Sequence, residues 1–164
     1  MPGSPAKVRA FTLMEVLIAS TVLSLCVLAI TQLVSSGQMQ TCDALHRDRA
    51  IALAEALLEE MIALPYADPE GAEALGPDAG ETGRSTFDNI DDFHGYAETL
   101  GHVVDVAGQA YATPFHRFSR SVSCQATTVS LGGMDVEGLS ASVTVQDESG
   151  RQWSVTRFFP RPTS

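Results

Sequence analysis

No charged residue lies between Glu15 and Asp43, and no proline between Phe11 and Leu64. The first absence is foreign to a helix on a water-soluble surface, and the second leaves nothing to break a helix. Basic residues are scarce, 10 against 20 acidic, and a chain starting at Phe11 would carry 8 against 20. Such a surface repels nucleic acid and anionic lipid, and no basic patch for DNA is visible, which argues against a nucleic-acid-binding module. Cysteine is nearly absent. Cys26, Cys42 and Cys124 show no CxxC spacing, which argues against a zinc or thioredoxin-like site. Cys26 lies in an apolar run, so Cys42 with Cys124 is the one pair open to a disulfide in an oxidising compartment. Two buried free thiols are the alternative. There is no G-x-S-x-G elbow, P-loop or dinucleotide glycine pattern. His46, His94, His102 and His116 are scattered without Cys or Glu at metal spacing. The chain reads as a non-enzyme.

What is present is one long apolar run. Phe11 to Val34 is 24 residues with Glu15 the single charge. As a helix it measures roughly 36 Å, enough to cross a hydrocarbon core of about 30 Å. Upstream, "MPGSPAKVRA" places Lys7 and Arg9 close to the apolar start, which predicts a cytoplasmic N-terminus and an exported remainder. A secretory signal has a shorter apolar region followed by a small-residue cleavage site. A plain single-pass anchor is the simplest alternative.

The helix is expected to continue to Leu64, about 54 residues in all. In "ALHRDRAIALAEALLEEMIAL", Ala50, Leu53, Ala54, Leu57, Met61 and Leu64 recur at three- and four-residue steps and form one stripe. Asp48, Glu55, Glu59 and Glu60 lie mostly off its centre, and Pro65 supplies the stop. Gly37, between Ser36 and Gln38, is the expected weak point. Residues 65–114 read as loop, and 115–160 as sheet. Phe118, Val122, Cys124 and Ala126 alternate with Ser119, Ser121, Ser123 and Gln125. Leu139, Ala141, Val143 and Val145 alternate with Ser140, Ser142, Thr144 and Gln146. Trp153, Val155 and Phe159 mark a third strand after the turn "DESG". Three antiparallel strands with one apolar face need a cover, which the helix stripe can supply. The expected class is α+β, divided into a leader 1–10, an apolar helix 11–34 and an exported domain 35–164. No internal repeat is present.

"FDNIDDFHG" gathers Asp88, Asn89, Asp91 and Asp92, oxygen ligands of the kind calcium takes. The spacing is not that of an EF-hand loop, and Asp and Asn build hydrogen-bonded turns without any ion. Phe87, Phe93 and Tyr96 are expected to pin this segment to the core.

"AFTLMEVLIAS" resembles the processing site of type IV prepilins and pseudopilins: a short basic leader, a small residue, then Phe-Thr-Leu-x-Glu and an apolar helix. Those positions are Phe11, Thr12, Leu13 and Glu15, with Ala10 where the family usually has Gly. The proline that many such pilins carry inside the apolar run is absent. The resemblance implies a pilin fold and cleavage between Ala10 and Phe11 by a prepilin peptidase, with N-methylation of Phe11. It implies no catalytic activity. The partners implied are an inner-membrane assembly platform and other major and minor pilins or pseudopilins. A carboxylate at mid-bilayer costs roughly 2.5–3.5 kcal/mol and needs a partner. Cleavage creates an α-amine, normally of pKa about 7.7–8.0, that can pair with the Glu15 of a neighbouring subunit. "RAIALAEALLEEMIALPYADP" followed by "RSTFDNIDDFHGYAET" is similar to the minor pilin D family of the mannose-sensitive haemagglutinin pilus system, which implies a subunit that starts or caps a surface fibre. A minor pseudopilin of type II secretion would share every N-terminal feature. A membrane-anchored binding module that never polymerises is the rival from another class.

Overall fold

The computed structural model describes residues 12–69, 71 and 74–162, and the side chain of Leu131 is not among the described ones. The leader and the pair Ala10–Phe11 therefore lie outside the described residues. The fold is α+β. Its elements are helix α1 (Leu13–Ile62), strand β1 (Ala97–Glu98), and strands β2 (Phe118–Leu131), β3 (Met134–Asp147) and β4 (Gln152–Pro160). Single 3-10 turns occupy Asp91–Phe93 and Thr113–Phe115. The chain divides into two compact units, Met1–Ala44 and Leu45–Ser164.

In the first unit every described side chain is exposed, Leu13 at 82 % and Leu33 at 73 % among them. Apolar side chains surround the helix on all sides, as in a helix whose solvent is not water. The helix runs unbroken through Gly37, whose carbonyl accepts a hydrogen bond from Thr41 Oγ1 at 2.9 Å. The weak point expected there is not a break.

In the second unit, the end of α1 lies on one face of a four-stranded antiparallel sheet of order β1-β2-β3-β4. Ala50, Leu53, Ala54, Leu57 and Met61 are buried as their spacing requires, and Leu58 joins them. Leu64 is partly buried beyond the end of the helix. They meet Phe118, Val122 and Cys124 of β2, Leu139, Ala141, Val143 and Val145 of β3, and Phe159 of β4. The period-two alternation of β2 and β3 is thus real, with two corrections. Ala126, on the apolar phase, is exposed, and Arg120, on that same phase, is buried at 2 %.

The sheet has four strands rather than three. β1 is two residues long, Ala97 opposite Ser121 and Glu98 opposite Arg120, inside the stretch expected to be loop. Gly132 and Gly133 close the β2–β3 hairpin with φ of 60° and 87°, the two positive values that a tight two-residue turn demands. Gly138 in β3 has a different reason. A Cβ built there would stand 2.3 Å from the carbonyl oxygen of Phe159 and 2.6 Å from the Phe158 ring. Only glycine lets β4 approach.

Candidate functional site

The first turn of α1 is built by Thr12. Its Oγ1 accepts the backbone N–H of Glu15 at 3.2 Å, and its carbonyl accepts the N–H of Glu15 and of Val16. Threonine followed three residues later by glutamate is the pattern of a helix N-cap, so the Thr-Leu-x-Glu string starts the helix as well as marking it. Glu15 stands exposed in that first turn, where the helix dipole favours a carboxylate.

The apolar stretch also carries hydroxyls, and each bonds the turn before it. Ser20 Oγ donates to Leu17 O, Thr21 Oγ1 to Ile18 O, Ser24 Oγ to Ser20 O and Thr31 Oγ1 to Val27 O, at 2.8–2.9 Å. A hydroxyl satisfied within its own helix can enter hydrocarbon without an unpaired polar group. By length and composition this helix can cross a membrane.

The acidic segment forms a reciprocal turn. Asn89 Oδ1 accepts the N–H of Asp91 and of Asp92, while Asp92 Oδ2 accepts the N–H of Asp88 and of Asn89. Asn89 and Asp92 are buried by this arrangement. Carboxylate oxygens of Glu81, Asp88 and Asp92 come within 4.8 Å of one another. Glu81 was not foreseen as a member, and the Asp91 carboxylate does not belong to that group of three. Burial and then the neighbouring carboxylates raise the pKa of Asp78 and of Asp88 above the ordinary range. Asp91 is raised for the same reasons, burial first and then Asp92. Oxygens so placed have the chemistry to hold a divalent cation, and the backbone bonds that Asp92 accepts hold the turn without one.

Cys26 and Cys42 are exposed free thiols and Cys124 is a buried one. Cys124 Sγ lies 3.9 Å from the carbonyl oxygen of Ile90. Burial and the charge of Asp91 push its pKa up to about 12, which leaves an unreactive thiol.

The feature that sequence reasoning missed is an ionic network under the sheet. Arg120 grips Glu98 through Nε and Nη2, and donates from Nη1 to Leu53 O at 3.0 Å and from Nη2 to Val104 O at 2.5 Å. Arg84 Nε donates to both oxygens of Glu60 at 2.7 and 2.9 Å, while its Nη1 reaches Glu98 at 3.3 Å and Val104 O at 3.0 Å. The Tyr96 hydroxyl donates to Glu98 at 2.9 Å. Two cations and two anions thus tie α1, β1, β2 and the 84–104 segment together. Burial alone would lower the Arg84 pKa, but the bonds and charge of Glu60 hold it above its ordinary value. Beside it lies a cleft of about 620 Å³ bordered by Leu64, Phe87, Phe93, Tyr96 and Val106. At the other end of the sheet His46 Nε2 meets Asp147 Oδ2 at 3.1 Å, with its ring 4.6 Å from that of Phe118. Burial opposes ionisation of Asp147, yet hydrogen bonds from Ser149 and Arg151 hold its pKa below the usual carboxylate range.

Residues 5–31 match the family model described as the prokaryotic N-terminal methylation motif. No curated protein and no solved structure matches the chain. The chain carries a prepilin-type N-terminal methylation motif, and its long apolar helix and small antiparallel sheet make a pilin-like architecture.

Proposed function

We propose that this protein is a minor type IV pilin-like structural subunit that takes part in starting or capping a fibre. The observation that carries this reading is the coincidence of three features on one segment. The methylation motif spans residues 5–31, Thr12 caps the helix immediately before Glu15, and the apolar helix that follows satisfies its own serine and threonine hydroxyls. In this reading the prepilin peptidase cuts between Ala10 and Phe11 and methylates the new amine. The subunit rests in the inner membrane with its N-terminus cytoplasmic and residues beyond Val34 in the periplasm. An assembly platform then lifts it into a fibre among other pilins, where Glu15 receives the amine of a neighbour. The minor role rests on the likeness of residues 49–69 and 84–99 to the minor pilin D family. The work of such a subunit is structural.

Mass spectrometry of the membrane-extracted protein tests the reading. The expected mature chain begins with N-methylated Phe11 and lacks the first ten residues. An intact Met1, or a cut beyond Val34, overturns it.

A further inference from the structure

The two edges of the sheet are treated differently. On the β2 side, β1 pairs with Arg120 and Ser121, Gly95 and Tyr96 exchange bonds with Val122, and His94 Nδ1 accepts the N–H of Cys124 at 3.1 Å. That edge is covered as far as Cys124. On the other side β4 is the last strand, and no described strand pairs with its outer edge.

The register determines which backbone groups β4 presents. Asp147 N–H donates to Arg151 O at 3.0 Å and Arg161 N–H to Glu137 O at 2.9 Å. Bonded and non-bonded pairs alternate along an antiparallel ladder. With Trp153, Val155, Arg157 and Phe159 opposite Val145, Val143, Ala141 and Leu139, those four turn their N–H and C=O groups toward β3. Gln152, Ser154, Thr156 and Phe158 therefore turn theirs outward, to no partner among the described residues.

Bare edges are usually blunted by lysine, proline, a bulge or shortness. β4 has none of these before Pro160: its nine residues pair one-to-one with β3, and its only charge is Arg157. The charge that the strand and its flanking residues themselves carry has one sign. From Ser149 to Pro162 there are three arginines and no acidic residue, in a chain of net charge −10. The side chains of Arg157 and Arg161 remain 41 % and 68 % exposed; each lies beside one exposed carboxylate, on Glu59 and Glu137, through a single nitrogen, and a guanidinium has further N–H donors for a second one.

We propose that the outer edge of β4 accepts an extended, acidic segment of another protein as an added strand. Backbone bonds to Gln152, Ser154, Thr156 and Phe158 supply the pairing, and Arg157 and Arg161 select the charge. This goes beyond the fibre reading and does not depend on processing at Phe11.

The test uses the full chain in detergent micelles and two nine-residue probe peptides, EVTVEVTVE and KVTVKVTVK, blocked at both ends. Amide exchange should slow at Gln152, Ser154, Thr156 and Phe158 when the glutamate peptide is added, with little change at Trp153, Val155 and Arg157. The glutamate peptide should bind about tenfold tighter than the lysine one, a gap that closes in half-molar salt. Thr156→Pro removes one outward donor at an edge position and spares the β3 ladder, so binding should weaken about tenfold. If Thr156→Pro does not fold, the variant Arg157→Gln/Arg161→Gln decides, and should lose the preference for the acidic peptide. No selective protection along β4 at millimolar peptide overturns the site. Equal binding of the two peptides overturns its acidic partner.

Discussion

Arg120 meets Glu98 fork to fork, with Nε on Oε2 and Nη2 on Oε1, and its side chain is completely buried between α1 and the sheet. A buried pair of this kind adds little over an apolar substitute, but breaking it leaves the buried Glu98 with only the longer contact to Arg84 and the Tyr96 hydroxyl to offset its charge. Arg120→Met is therefore expected to destabilise the globular unit by about 3–5 kcal/mol, read as a shift of the urea midpoint. Arg120→Met/Glu98→Gln should recover part of that loss, because the carboxylate charge leaves with its partner. Full additivity of the two changes would show that the groups act independently.

These measurements call for a soluble fragment. The compact unit begins at Leu45, and α1 covers the sheet from His46 onward. A fragment from Gln38 to Ser164 is expected to be soluble and folded, with both helical and strand signals by circular dichroism. Aggregation, or loss of the strand signal, would mean that the apolar half of α1 is needed for folding.

At Gly138 the constraint is steric. A methyl group there meets the Phe159 carbonyl at 2.3 Å, so β4 must shift or the ladder must part. Gly138→Ala should cost about 3 kcal/mol, although alanine is otherwise the milder residue in a strand. The same substitution at Gly37 meets nothing within 4 Å and lies in a helix, so it should be neutral or slightly stabilising.

The acidic turn gives a pH dependence with a definite sign. Asp78 and Asp88 have raised folded pKa values, caused by burial first and then by neighbouring carboxylates. Their charged forms are disfavoured in the fold, so that stability is fully present below the ordinary carboxyl range and is lost as pH rises through the raised values. Asp147 runs the other way. Its folded pKa is lowered, so its contribution is present above the ordinary Asp range and lost as pH falls through the folded value. Asp78→Asn/Asp88→Asn should raise Tm at pH 7 and leave it nearly unchanged at pH 3, by differential scanning fluorimetry. Millimolar calcium supplies the contrary outcome: a rise in Tm for the native chain, absent in the variant, would identify a cation as what offsets the repulsion.

The elements with a period were legible in the sequence. Ala50 to Met61 repeat every three or four residues and Leu139 to Val145 every two, so their buried faces follow from spacing alone. Arg120 was not legible, because a cation on an apolar phase looks like an interruption until Glu98 is seen opposite it. Glu98 itself belongs to a two-residue strand, too short to show any alternation. Glu81 joins Asp88 and Asp92 through the path of a loop, and loops carry no periodic signal. The cap by Thr12 was readable, since threonine and glutamate stand at the required spacing.

Glu15→Val separates membrane insertion from assembly. Removing the one charge of the apolar stretch should leave insertion unharmed or improved. The leader, Ala10, Phe11 and the Thr12 cap are untouched, so cleavage should persist. What disappears is the carboxylate that would receive the amine of the adjoining subunit. That amine would then be buried unpaired in the fibre, at a cost of several kcal/mol, far more than the loss of a surface ion pair. The expected result is a cleaved protein that accumulates in the inner membrane and is missing from sheared fibres, followed by immunoblot of this protein itself. Thr12→Ala is the control. It weakens the helix start by about 1 kcal/mol but keeps the carboxylate, so it should still enter fibres. Glu15→Val present in fibres at native levels would remove the pairing role from this carboxylate. Loss of both variants alike would assign the defect to the helix start instead.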